Sequence, residues 1–150
     1  MTLLETYKLL HVLAAIVWVG GGILTLVFTW RALGTDREHR LGLARDTEFL
    51  ANRVFAPAAM VALLFGILMV LEVDAYEFTD TWIVIGFTGL VLSTILGMAY
   101  YPPQSKRLIT EITEIDPKAE GRLATIAKVS TIDMGILVVV VWAMVAKPGL

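Results

Sequence analysis

Gly135-Ile136-Leu137-Val138-Val139-Val140-Val141-Trp142-Ala143-Met144-Val145-Ala146 carries no charge on any face of a helix, and neither does Val61-Ala62-Leu63-Leu64-Phe65-Gly66-Ile67-Leu68-Met69-Val70-Leu71. Helices of a water-soluble bundle keep a polar face, whereas a helix that is apolar all round belongs in lipid or in a large interior. These two stretches sit inside longer apolar blocks, and two more blocks match them. The four blocks run over about 6–30, 53–71, 81–101 and 126–146. Each is long enough for an α-helix to cross about 30 Å of hydrocarbon at about 1.5 Å per residue. None alternates apolar and polar positions as a membrane β-strand does. The expected fold is an all-α integral membrane four-helix bundle of up-down topology, a single transmembrane domain.

Composition agrees. Of 150 residues, 57% are apolar and 17% charged, the mean hydropathy is +0.76, and there is no Cys. Soluble domains carry about 45–50% apolar and about 25% charged residues. A disordered chain, a disulfide scaffold and a thiolate metal site are excluded. The net charge of −2 gives no basic surplus for nucleic acid. The first block is too long for the short apolar run of a signal peptide and lacks its basic start, so it reads as a mature span.

Charge sets the expected orientation. The connection from Arg31 to Arg53 holds five Arg, and that from Lys106 to Lys128 holds five Lys or Arg. The connection with Glu72, Asp74, Glu77 and Asp80 holds no cation. Lys and Arg favour the cytoplasm. Both termini and the acidic loop are therefore expected outside, in a multi-pass protein of the bacterial inner-membrane type. Leu108, Ile109, Ile112 and Ile115 recur at helical spacing over about 104–115, which predicts an amphipathic segment on the inner membrane surface. Pro102-Pro103 is expected to end the third helix before it, and Asp116-Pro117 to close it.

Small residues predict close packing. Gly89, Ser93 and Gly97 recur every fourth position, as do Ala58, Ala62 and Gly66. Such rows let helix backbones approach in lipid and suggest a homodimer. Gly20-Gly21-Gly22 offers close packing or, alternatively, room for a flat ligand such as a porphyrin or quinone.

Ionisable groups within spans mark function or internal pairs. His11, Arg53 and Asp133 are the candidates. The stripe His11, Ala15, Trp18, Gly22, Thr25, Thr29 forms one small or polar face. Neutral imidazole ligates haem iron and copper well, and it also serves as a plain hydrogen-bonding group near an interface. Asp133 is placed to form an ion pair with Arg53 or to relay protons. It lies near the opposite membrane face from His11, so the two do not meet, and a Ser-His-Asp triad is ruled out. Met144 falls at the depth of His11, and His plus Met suits haem iron or Cu(I). Methionines in apolar helices are otherwise packing residues. His39 reads as solvated.

Leu10-His11 followed by Trp18-Val19-Gly20 resembles the first helix of HemJ-type protoporphyrinogen oxidases and of CopD-type copper-resistance membrane proteins. Asn52-Arg53-Val54-Phe55-Ala56-Pro57-Ala58-Ala59-Met60, with Gly66 beyond it, is similar to the HemJ-type second helix, and Ala146-Lys147-Pro148 to the close of the last. The whole chain also resembles the uncharacterised predicted integral membrane proteins of domain-of-unknown-function family 2269. The HemJ resemblance implies b-type haem on His11. The third-helix Lys and His of those enzymes are absent, and Ser130-Thr131-Ile132-Asp133 stands where they carry Asn-Glu-x-Pro. Haem binding with an associated redox role is therefore expected through His11, rather than protoporphyrinogen oxidation. The alternatives are a non-catalytic membrane subunit acting through helix contacts and a copper or small-solute conduit.

Overall fold

The computed structural model describes residues 1–149 and consists of four long helices: α1 (Leu3–Ala32), α2 (Arg37–Glu72), α3 (Thr81–Thr113) and α4 (Lys118–Ala146). Each is long and apolar enough to cross a membrane. Many large apolar side chains face outward, among them Ile16, Leu64, Val91, Ile95, Val138 and Val139, while Ala62, Gly89, Ser93 and Asp133 are buried. Such an outward apolar surface is a liability in water and the required solution in lipid.

The helices start where side chains satisfy their first N–H groups. At α1, the Thr2 hydroxyl accepts from the Glu5 N–H (3.2 Å) and the Glu5 carboxylate accepts from the Thr2 N–H (2.7 Å). At α2, Asp36 accepts from the His39 N–H (2.8 Å), so His39 belongs to a helix start.

Three helices contain a π-helical turn: Ile16–Gly20 in α1, Ala51–Phe55 in α2 and Leu96–Tyr100 in α3. The second and third lie directly before Pro57 and Pro102-Pro103. Proline lacks an N–H and its ring crowds the carbonyl four residues back. The wider turn absorbs that conflict, and the helix continues. Pro102-Pro103 therefore does not end the third span, which departs from the sequence expectation. Residues 101–113 continue α3 past the apolar block as one unbroken helix. In the same way, residues 37–50 are the first part of α2 rather than a loop.

These extensions build a small water-side core. Ala32, Ala44, Leu108, Ile112, Ala119 and Leu123 are buried together where α2, α3 and α4 project at the basic end. The arginines of this end have structural work. Arg37 donates to the carbonyls of Ile112 and Thr113, both at 2.7 Å, and Arg40 donates to those of Ala32 (3.0 Å) and Leu33 (2.8 Å). Each guanidinium thus caps the C-terminal carbonyls of a neighbouring helix, where cations are favoured. Arg122 forks onto Glu111 (2.7 and 2.6 Å) and reaches Gln104 (2.6 Å).

The turn after α3 places Ile115 at φ 58°, a left-handed conformation. The Asp116 N–H returns to the Glu111 carbonyl (2.8 Å) and that of Ile115 to Ile112 (3.4 Å), the Schellman pattern in which glycine is the favoured residue. Ile115 is 74% exposed, so its side chain contributes little packing. Ile115→Gly is expected to raise the thermal midpoint, by about 1 kcal/mol of relieved backbone strain. A lowered midpoint would contradict this.

At the acidic end, Val70, Trp82, Ile83 and Ala143 form a second buried cluster. Lys147, itself left-handed at φ 44°, donates to the Tyr76 hydroxyl and lies 4.5 Å from the Tyr76 ring centre and 4.9 Å from that of Trp82. The acidic loop is thereby tied to the end of α4.

Candidate functional sites

Helix α1 packs on α2 through its acidic-end half and on α4 through its basic-end half, while α3 packs along α4. His11, Met144, Gly66, Gly89, Ser93 and Asp133 fall in these seams, whereas Gly20, Arg53 and Gly97 are exposed.

His11 lies in the α1–α2 seam. Its Nδ1 is 2.7 Å from the Ala62 carbonyl oxygen. A carbonyl only accepts, so Nδ1 carries a proton, and in the neutral imidazole the lone pair is on Nε2. Gly66 makes the approach possible: a Cβ there would stand 3.2 Å from His11 Cε1 and 3.3 Å from Nδ1. The row Ala58, Ala62, Gly66 is therefore the bed on which α1 lies. Tyr7 and Phe65 close the seam nearby, with ring centres 5.7 Å apart.

Met144 does not join His11. Its methyl group covers Gly86 on α3, and it packs with the Trp82 and Ile83 cluster. His11 and Met144, expected at similar depth, thus serve different seams, because α4 turns this face to α3. Trp18 is half-buried within the π turn of α1. The glycine triplet beside it is partly filled by protein. Phe55 Cε1 occupies the space a Gly21 Cβ would need (2.5 Å), and the Met134 sulfur and methyl group stand over Gly22 (2.9 Å). A porphyrin finds no slot at Gly21 and Gly22. The donor set fits a group held by a single neutral histidine, and does not fit one clamped between His11 and Met144.

The second candidate row is split. Gly89 and Ser93 are buried, with Gly89 against Val140 and Ile136 of α4, but Gly97 is exposed with nothing near its Cβ position. The π turn starting at Leu96 rotates Gly97 off the row. The small residues that suggest a homodimer are thus largely spent within the chain.

Asp133 is buried, at 5% exposure, in the α3–α4 seam. The Tyr101 hydroxyl donates to its Oδ2 at 3.2 Å, and Oδ1 has no hydrogen-bond partner among the described residues. The Arg53–Asp133 ion pair expected from sequence is not formed. Arg53 sits exposed on the π turn of α2, and among the described residues the one ion pair within 4.0 Å is Arg122–Glu111. A tyrosine hydroxyl replaces the arginine because Tyr101 lies on the continued α3, facing α4. Sequence reasoning missed it by looking for a cation as the partner of Asp133, although Tyr101 lies at the end of the third apolar block. Among the described residues no group of three or more His, Cys, Asp or Glu is placed to hold a metal ion.

Four apolar spans, a polar seam at each end and a lipid-facing exterior define the class as a multi-helix integral membrane protein. The chain matches the sequence profile of the predicted integral membrane protein family DUF2269 over residues 5–148, and it belongs to that family. No curated protein and no solved structure matches it.

Proposed function

We propose that this membrane protein binds b-type haem through His11 near its acidic end. The observation that supports this reading is the Nδ1–H bond to the Ala62 carbonyl. Metal-ligating histidines characteristically donate their other ring N–H to a carbonyl or carboxylate, which fixes tautomer and ring orientation. The resemblance of Leu10-His11 and Trp18-Val19-Gly20 to HemJ-type first helices adds to it. Haem iron would supply one-electron chemistry, and the chain's part is to present an oriented neutral imidazole. His11 is the residue of this chain that would hold the haem, and His11 of a second copy would supply a second imidazole if two chains shared one haem. The basic end faces the cytoplasm in this reading, following the ten cations of its two connections.

The test is an absorption spectrum of protein purified in mild detergent from haem-supplied cells. The expected result is a Soret band that is lost in His11→Ala and perturbed in Gly66→Ala, whose methyl group would press on the imidazole. One haem per two chains is the expected stoichiometry of the bridged form. A colourless, folded wild type would overturn the proposal. Bound copper without a Soret band would point to the conduit alternative.

A second reading, a non-catalytic subunit that works by helix contacts, is favoured by the filling of Gly21, Gly22, Gly86 and Gly89 with protein side chains. It predicts no colour.

A further inference from the structure

The α3–α4 seam holds a feature that His11 does not explain. Asp133 is a carboxyl group 95% removed from solvent, on the segment of α4 that crosses the apolar zone. Its immediate surroundings are hydroxyls. Tyr101 donates to Oδ2, and buried Ser93 lies beside the carboxyl group from the same helix as Tyr101. Ser130 lies near the Tyr101 hydroxyl from α4 itself.

No charge balances it. The cations of the four helices are Lys8 and Arg31 on α1, Arg37, Arg40, Arg45 and Arg53 on α2, Lys106 and Arg107 on α3, and Lys118, Arg122 and Lys128 on α4, and among the described residues none pairs with Asp133 within 4.0 Å. An ionised, unpaired carboxylate in a low-dielectric seam costs several kcal/mol, and a bound proton removes that cost. A neutral carboxylic acid also gains an O–H, which needs an acceptor. Oδ1, the oxygen that Tyr101 does not reach, is the atom that would carry it, with the Ser93 hydroxyl beside the carboxyl group as the acceptor.

The fold also provides a route outward from this pair. Tyr101 directly follows the π turn Leu96–Tyr100 and precedes Pro102-Pro103. The two prolines donate no N–H, so two carbonyls of this turn are left without their helical donors. Tyr100 stacks edge-on against Tyr101, with ring centres 5.4 Å apart. Ser130, beside the Tyr101 hydroxyl and three residues before Asp133 on α4, carries the polar side chains of this seam toward the basic end.

We propose that Asp133 is a reversible proton-binding site, with Tyr101 as its positioning residue and the Ser130 side of the seam as its path to water at the basic end. The event is the addition of one proton to the Asp133 carboxylate and its return to water, with no other bond made or broken.

Infrared spectroscopy of the full chain in lipid vesicles tests this. At neutral pH the wild type is expected to show a carboxylic-acid C=O band that is absent in Asp133→Asn. The band should shift when H₂O is replaced by D₂O, disappear at alkaline pH and return on reacidification. Tyr101→Phe should move it to higher frequency, because one hydrogen bond to the carboxyl group is lost. A purely structural carboxylate would show no acid band. A sequestered acid would show a band that neither exchanges nor titrates. Disappearance of the band on adding sodium at constant pH would mean a cation site. Any of these three results overturns the proposal. Exchange and titration are read on the wild type alone, so the test survives if Asp133→Asn fails to fold. It is also independent of haem.

Discussion

Gly89→Ala is expected to be among the most destabilising single-methyl additions in this chain. The new Cβ would stand 2.3 Å from Val140 Cγ2 and 3.3 Å from Ile136 Cγ2. Valine in a helix has one strongly preferred χ1 rotamer, so Val140 cannot swing aside. The α3 and α4 backbones would have to separate along the seam. Overpacking of this kind costs about 1–3 kcal/mol, and a contact this short belongs at the upper end. The double variant Gly89→Ala/Val140→Ala should recover most of the loss. Two controls make the reading specific. Gly86→Ala meets Met144 Cε at 2.0 Å, yet it should cost less, because a methionine thioether has freedom to move. Gly97→Ala meets nothing within 4 Å and should be neutral or stabilising, by up to about 1 kcal/mol of helix propensity. Thermal unfolding in detergent measures all four. Equal losses at Gly97 and Gly89 would mean that the π turn does not break the row.

Leu123→Ala should have a comparable effect by a different route. Leu123 is 4% exposed in the core shared with Leu108, Ile112 and Ala119 at the basic end. This core lies on the helical extensions, in water. Truncation there loses transfer free energy and also leaves a cavity, together about 2–5 kcal/mol. Leu137→Ala, at 1% exposure within the apolar part of α4, should cost less. Lipid tails are as apolar as leucine, so only the packing and cavity contribution is lost there. The two are separable by limited proteolysis. Leu123→Ala should expose residues 37–50 and 101–113 to cleavage, while Leu137→Ala should lower the thermal midpoint without doing so. Protection of both segments in Leu123→Ala would sink the idea of a water-side core.

Membrane class and helix number were legible because they depend on local composition. Lipid demands long apolar segments whatever they pack against, and Gly135–Ala146 and Val61–Leu71 satisfy that demand on sight. The Asp36 cap was not read, and the extensions were misread. Pro102-Pro103 carries a strong helix-ending signal, and only a π turn, which has no composition of its own, lets α3 pass through it. That one misreading hid the core built on the extensions, while Tyr101 was passed over because a cation was sought for Asp133. The arginines counted as topology signals turned out also to cap helix ends, a use that requires knowing which C-terminus lies beside them.

The candidate residues divide in the same way. That His11 and Asp133 are unusual follows from sequence alone, because an ionisable group in an apolar block is costly wherever it points. Their partners do not follow from it. His11 pairs with a backbone carbonyl, Ala62, and a carbonyl is present at every position, so no side-chain pattern announces it. Asp133 pairs with Tyr101 rather than Arg53, because Tyr101 lies on α3, which packs along α4, whereas Arg53 is exposed on the π turn of α2. Sequence determined which segments lie in lipid and which residues are costly there. Tertiary structure decided which seam each residue enters, because a single inserted residue in a helical turn rotates every side chain beyond it, and no local preference records that rotation.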